Sequence, residues 1–280
     1  MSLSPSAPLP TAKATESTRR LVTSLRGPTF NRRQMVVLTL ASLVGFFALW
    51  ELVTRYLDVP SLILPRFSDV LAAAPQMHAE GVLVPNLLIS LQNYVVGVLI
   101  SLAIAVPLGL VVGGIRSLDR IVSPYVWTLY TLPRIVLMPL ILIWFGLGDT
   151  ARILLIVLSA APAVLVFVME GAKNTDMSLV QAARAFGASR RQLIMHVALP
   201  NTAPFVATGI RMGVSRGLVG LFIGELFTAA DGIGYLMLVS SRRFATPRVY
   251  LILLLFVAFS VVMVAATNWL EKKASKWRPE

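Results

Sequence analysis

Long, uninterrupted apolar stretches constrain the fold of this chain more than any other feature. Hydrophobic residues make up 56% of its 280 residues and charged residues 14%, against roughly 25% charged in a typical soluble domain. About 20 apolar residues in a helix cross the ~30 Å hydrocarbon core of a bilayer. The stretches are continuous and do not alternate with polar residues, so they favour helices over a β-barrel. Six transmembrane helices are predicted, at about 35–53, 86–112, 124–147, 152–169, 202–227 and 250–270.

The segments outside these spans define the domain organisation. Residues 1–33 are rich in Ser, Thr and Pro, and they are predicted to form a disordered cytoplasmic tail. A cleaved signal peptide is not expected, because the first apolar run is too long and lacks a small-residue cleavage pattern. Residues 34–280 are predicted to form one transmembrane domain, with 54–85 as an external loop containing a short helix.

The distribution of basic residues predicts the orientation in the membrane. With the N-terminus inside, sixteen of the 25 lysines and arginines lie in cytoplasmic segments and six lie outside. The formal net charge of +12 is therefore attributed to orientation in a bilayer and not to nucleic-acid binding. We expect a multi-pass protein of the bacterial plasma membrane with both termini in the cytoplasm.

Few residues are suited to covalent or metal chemistry. The chain has no cysteine, and its two histidines, His78 and His196, are too far apart in sequence to suggest a metal cluster. The hydroxyl residues of the predicted spans have no histidine partner within a span, so an intramembrane enzyme is disfavoured. We predict no catalytic residue, no metal site and no cofactor bound by this chain.

The polar loop between the fourth and fifth spans, residues 171–200, is too long for a simple turn. Leu179, Val180, Ala183 and Phe186 recur at helical spacing, and Gly187 is a natural stop, so a short amphipathic helix is predicted here. Its most informative positions are Gln181, Ala182, Ala183, Phe186, Gly187, Leu199 and Pro200. Pro200 is tolerated because it falls in the first turn of the next helix.

This loop resembles the hallmark loop of the permease subunits of ABC importers. That loop has Glu-Ala-Ala, a Gly four positions after the last Ala, then a hydrophobe and Leu-Pro. Ala182, Ala183, Gly187 and the Leu199-Pro200 pair fall at those positions, whereas Gln181 replaces the usual Glu. Residues 142–148, Arg211 and the Gly224-Glu225 pair further resemble the nitrate, sulfonate and taurine permease branch, which includes carriers of some thiamine precursors.

The resemblance implies a type I ABC importer permease fold in which the loop is a coupling helix. Such a helix docks on a separate ATP-binding subunit, where ATP and Mg would be bound. The chain itself has no Gly-x-x-x-x-Gly-Lys-Ser/Thr phosphate loop, which agrees with a motor on another polypeptide. The resemblance also implies an extracytoplasmic substrate-binding protein, a second permease copy and membrane lipid as partners. The alternative is that the loop is a solvated connector without a partner.

The fifth span carries a stripe of small residues. Five glycines fall within about 80° on a helical wheel: Gly209, Gly213, Gly217, Gly220 and Gly224. Such a stripe allows another helix to approach closely. The sequence leaves open whether that helix belongs to the same subunit or to a second copy.

Four charged residues of the predicted spans are candidate pathway residues: Arg134, Arg211, Arg216 and Glu225. A charge at mid-membrane costs at least ~2.5 kcal/mol on insertion scales, so each should face a partner or a watery cavity. One hypothesis is that these residues line a pathway for a small anion. The alternative is that the arginines pair with Glu225, with backbone carbonyls or with lipid headgroups.

The leading interpretation is the channel-forming subunit of an ATP-driven importer for a small anion of the sulfonate, taurine or nitrate class. One alternative is a secondary transporter or channel that works without ATP, which would predict inverted repeats and intramembrane carboxylates. Another is the same kind of permease carrying a substrate similar to a thiamine precursor.

Overall fold

The computed structural model describes residues 31–174, 177–228 and 231–274. Almost all of the predicted disordered tail, 1–33, lies outside the described residues. Those residues form helices and no strands, which confirms the all-α fold class. The α-helices are α1 Arg32–Tyr56, α2 Phe67–Ala79, α3 Leu83–Gly114, α4 Arg116–Thr131, α5 Met138–Phe145, α6 Asp149–Lys173, α7 Met177–Ala185, α8 Arg190–Leu193, α9 Leu199–Thr228, α10 Ile233–Arg242 and α11 Thr246–Ala274.

The chain divides into two units, and α1 belongs to the first, which ends at Leu57. The Gln34 side chain accepts a hydrogen bond of 2.9 Å from the Asn31 backbone N–H, which satisfies a free donor at the start of the helix. Apolar side chains such as Leu40, Phe46 and Leu49 are exposed along α1. A helix of this length with an apolar surface is suited to span a lipid bilayer.

The second unit, residues 58–280, is built around α6. Helix α3 lies beside α6 and runs parallel to it, since Gly97 meets Ile156 and Gly109 meets Val168. Helix α9 runs antiparallel to α6, since Gly209 meets Val164 and Gly220 meets Leu155. A core cluster of Tyr94, Val98, Ile156, Val214, Leu218 and Leu221 joins the three helices. Helix α11 packs on this cluster through Phe256 and Phe259.

The third predicted span, 124–147, is not one helix in the structure. Helix α4 ends at Thr131, a 3-10 turn covers Arg134–Leu137, and α5 then leaves at an angle of 93°. Pro133 accounts for the end of α4. Proline has no backbone N–H to donate, and its ring disfavours a helical conformation of the residue before it. From the sequence alone, Pro133 is expected to kink the third span because proline lacks a backbone donor, but an interruption of this size is not expected.

The other five predicted spans lie inside single helices. Five helices are long and apolar enough to cross a membrane, and the bent pair α4–α5 makes six if it counts as one span. The part of the predicted external loop that follows α1 contains α2, whose Val70, Ala73 and Met77 are buried. Beyond α2, Arg248 of α11 donates hydrogen bonds of 2.8 and 2.5 Å to the Glu80 carboxylate. These bonds hold the pKa of Glu80 below its usual value.

Candidate functional site

The short amphipathic helix predicted in the loop is present as α7, and its end is fixed by Gly187. The Gly187 backbone has φ +79°, a left-handed conformation that L side chains rarely adopt. The Gly187 N–H donates to the Arg184 carbonyl at 2.9 Å, and the Ala188 N–H donates to the Ala183 carbonyl at 3.0 Å. This pair of bonds is the Schellman motif that terminates helices, so Gly187 ends α7 for a conformational reason.

A second cap follows at once and starts α8. The Gln192 side chain accepts from the Ser189 N–H at 2.8 Å, and the Ser189 hydroxyl accepts from the Gln192 N–H at 3.4 Å. This reciprocal pair is a capping box. Residues 177–193, which we call the coupling segment, therefore form two short helices separated by a defined turn. A single turn of π-helix, Ile194–Ala198, joins the segment to α9.

The coupling segment presents apolar side chains outward. Phe186 is 92% exposed, and Leu179 is also exposed on α7. Val180 and Ala183 are half-buried, so α7 has one covered side and one open side. Gln181 and Ala182 are exposed, Leu199 is exposed and Pro200 is half-buried at the start of α9. An exposed aromatic beside a structured turn is a surface suited to protein contact.

The glycine stripe of α9 packs inside the subunit. A Cβ added at Gly213 would lie 2.5 Å from Val164, and one added at Gly220 would lie 2.6 Å from the Leu155 carbonyl oxygen. Gly209 and Gly224 also face α6, and Gly217 faces both α3 and α6. The alternative left open by the sequence is thereby decided: these glycines bring α9 against its neighbours in the same chain.

Glu225 is 0% exposed and lies at the junction of α3, α9 and α10. Its carboxylate accepts hydrogen bonds from the Ser90 hydroxyl and, at 2.8 Å, from the Gly234 N–H. Ser90 in turn accepts from the Ile233 N–H at 2.9 Å, and Asn86 accepts from the Gly232 N–H at 2.6 Å. Three side chains thus satisfy the first N–H groups of α10, where a carboxylate also interacts favourably with the helix dipole.

This placement gives Glu225 a structural explanation that the sequence did not suggest. The residue is enclosed by its own subunit and does not pair with Arg211 or Arg216 among the described ion pairs. A role for Glu225 in the pathway stays a prediction, and its burial among these donors does not favour it.

Arg152 is one of the six basic residues that the sequence analysis assigns to external segments. In the structure it lies in the first turn of α6 and is 2% exposed. It forms an ion pair with Asp231 and another, at 3.1 Å, with Asp149. Asn93 donates to Asp149 at 2.8 Å, which extends the cluster to α3. The spacing of Asp149 and Arg152, three residues apart, was the available signal.

The structure places Arg216 of α9 against the ring of Tyr130, four residues before Arg134. Arg134 lies in the 3-10 turn at the helix break. The Arg216 guanidinium carbon lies 5.6 Å from the centre of the Tyr130 ring, within cation–π distance. Arg134 Nε and Nη2 are buried and have no hydrogen-bond partner in the described part of the chain. Arg211, the third predicted pathway arginine, is half-buried.

Comparison with known proteins agrees with this architecture. The family model of the binding-protein-dependent transport system inner membrane component matches residues 105–276. That range holds α4 to α11, the coupling segment, Arg134 and Arg216, and it covers more than half of the chain. The chain belongs to this family, the permease subunits of ABC importers, and is a multi-pass inner-membrane protein.

Curated relatives narrow the comparison. The chain is 27% identical over 252 residues to the taurine transport system permease protein TauC of Escherichia coli (strain K12), covering 88% of this chain and 92% of TauC. It is 29% identical over 236 residues to the putative aliphatic sulfonates transport permease protein SsuC of the same strain, covering 84% and 90%. An inward-facing structure of the MetNI methionine ABC transporter matches with a TM-score of 0.62 and 21% identity. That match covers 71% of this chain and 98% of the other, and it supports the fold.

Proposed function

We propose that this chain is the channel-forming subunit of an ATP-driven importer and that the coupling segment is its contact with the ATP-binding subunit. The observation that carries the proposal is the exposed Phe186 beside the fixed turn at Gly187. An exposed aromatic held by a defined backbone is the kind of residue that dominates protein interfaces. ATP and Mg are bound by the partner, and movement of the partner reaches the membrane through α7, α8 and the start of α9.

The proposed substrate is a small anion of the sulfonate, taurine or nitrate class. Similarity to TauC and SsuC supports it, and so does the presence of uncompensated arginines inside the spans. A substrate resembling a thiamine precursor is the alternative within the same family. Arg211 is retained as a proposed pathway residue. Arg211→Ala should lower the transport rate of the folded protein, and unchanged transport would remove Arg211 from the pathway.

The proposed assembly holds two permease copies, two ATP-binding subunits and an extracytoplasmic substrate-binding protein, with both termini of this chain in the cytoplasm. Membership in the family supports the motor and the binding protein, and the excess of cations in alternate segments supports the orientation. Exposed apolar side chains on α5, among them Ile143 and Trp144, are available to a second copy or to lipid.

The test is gentle purification of the tagged protein from native membranes, with the accompanying proteins identified and quantified by mass spectrometry. We expect an ATPase with a phosphate-loop lysine to accompany the chain. Phe186→Ala should reduce its affinity by about tenfold or more, the effect of losing one interface hot spot.

Phe244→Ala is the matched control for this substitution. Phe244 is 75% exposed and lies between α10 and α11, at the end of the subunit remote from the coupling segment. The control should leave the amount of co-purified ATPase unchanged. Equal loss in both variants, or no ATPase with either variant or the wild type, would contradict the proposed contact.

A further inference from the structure

The arginine pair, Arg134 and Arg216, lies where an uncompensated positive charge is most costly. Arg216 is near the middle of α9, which has 30 residues and is about 45 Å long at 1.5 Å per residue. Arg216 lies against the Tyr130 ring, four residues before Arg134, so the helix break lies at a similar depth in the membrane. Among the described residues neither arginine forms an ion pair.

The backbone at Arg134 is irregular at this depth. The helix breaks between α4 and α5, and Ile135 and Val136 beside Arg134 are exposed. Non-helical backbone inside a membrane is tolerated where it is buried in protein or lines a watery cavity. Broken helices near mid-membrane are also where transporters commonly bind substrate. The break and the charges therefore coincide at one place.

The guanidinium groups offer unused donors. Arg134 Nε and Nη2 form one edge of its planar group, and both are buried without a partner in the described chain. That edge matches two oxygens of a tetrahedral or planar oxyanion. Arg216 is oriented by the face of Tyr130, whose ring also contacts Trp127 edge-on at 5.8 Å.

We propose that Arg134 and Arg216 form an anion site in the translocation pathway that binds the oxyanion head of the substrate, with Tyr130 as a positioning residue for Arg216. This inference rests on the proposed function and deepens it by assigning the site. One bound oxyanion compensates both guanidinium groups, and its departure restores their repulsion. A sulfonate head, with three oxygens, can be shared by the two groups. The head group of an anionic phospholipid has the same chemistry, and the experiment separates these two sources.

The experiment uses the full chain purified with its associated subunits into nanodiscs of phosphatidylcholine, and the probe is ethanesulfonate. Its dissociation constant is measured by calorimetry for the wild type, Arg134→Gln and Arg216→Gln. Each substitution should weaken binding by about tenfold or more, because each removes a charged hydrogen-bond donor group. Arg242→Gln, an exposed arginine in the last turn of α10, makes the same charge change and should bind as the wild type does.

Substitutions at Tyr130 distinguish an aromatic ring that positions the Arg216 guanidinium from a side chain that only fills space. Tyr130→Phe keeps the ring and should keep the affinity, whereas Tyr130→Leu should weaken ethanesulfonate binding severalfold. If a glutamine variant does not fold, Arg134→Lys and Arg216→Lys take its place, since lysine keeps the charge but loses the paired donors, and weaker binding is again expected.

The outcomes distinguish the site from the proposed function. If the wild type keeps its ATPase but ethanesulfonate binds equally to all variants, or binds to none, the site is wrong and the motor contact stands. Phospholipid retained by each variant is quantified by mass spectrometry after purification from native membranes. If the glutamine substitutions release anionic phospholipid and leave ethanesulfonate binding unchanged, the arginines hold lipid and the inference is overturned.

Discussion

At the scale of single residues, the junction around Glu225 shows how a buried charge is accommodated in this subunit. The carboxylate is fully buried, and its two oxygens accept hydrogen bonds from the Ser90 hydroxyl and the Gly234 N–H. Glycine is required at position 232, directly before α10. Its φ is +98°, and a Cβ added there would overlap the Glu225 carboxylate. The junction therefore depends on both a carboxylate and a glycine.

Glu225→Gln tests this junction. The amide presents one oxygen where the carboxylate presents two, so one buried donor loses its acceptor, at a cost of about 1–3 kcal/mol. The substitution should lower the thermal unfolding midpoint of the purified protein. Glu170→Gln is the control, because Glu170 is exposed and the amide can still accept from Asn174. Equal midpoints for Glu225→Gln and the wild type would contradict the structural role.

The sequence predicted that Glu225 would be a buried charge but not which groups it would contact. Glu225 was recognised because it lies in an apolar run, whereas its donors are the Ser90 hydroxyl of α3 and the Gly234 N–H at the start of α10. That helix could not be predicted from the short segment that follows α9. Arg152 was misplaced for a related reason: its partner Asp231 is 79 positions away along the chain and is brought near only by folding.

At the scale of secondary-structure elements, α6 is the centre of the subunit. Glycines on α3 and α9 face α6, and because they have no side chain, both helices pack closely against it. The stripe on α9 was predicted from the helical period, since five glycines on one face need no tertiary information. Its partner could not be predicted, because the order of helices around a core depends on packing across the whole chain. The break at Pro133 was visible as a kink, but its 93° angle depends on the contacts of α5 with α6.

Gly220→Ala tests the close approach of α9 and α6. The added methyl would meet the Leu155 carbonyl oxygen at 2.6 Å and the Ile156 Cα at 2.9 Å, and backbone atoms cannot rotate away. We expect a loss of about 1–3 kcal/mol in the free energy of unfolding, the usual cost of overpacking. Thermal or denaturant unfolding in detergent measures it.

Gly45→Ala provides the comparison for this prediction. Gly45 lies within α1, and a Cβ added there has no neighbouring atom within 4 Å, so the substitution should not lower the free energy of unfolding. If both variants unfold like the wild type, the packing of α9 on α6 is looser than the structure describes.

At the scale of the whole molecule, the second unit separates its polar features along the helices. The coupling segment lies where α6 ends and α9 begins, whereas the Glu225 and Arg152 clusters lie where α6 begins and α9 ends. The arginine pair lies between these ends. In the proposed importer, this order places the motor contact, the anion site and the external junction in sequence along the direction of transport.

The most direct test of ATP-driven import is uptake by proteoliposomes containing the purified complex and its binding protein. Labelled taurine and ethanesulfonate are supplied outside, and ATP or a nonhydrolysable analogue is enclosed on the motor side. We predict accumulation of at least one of these substrates with ATP only, with a loss in Phe186→Ala that follows the loss of the ATPase. Accumulation that needs no ATP and follows an imposed ion gradient would contradict the account and identify a secondary transporter.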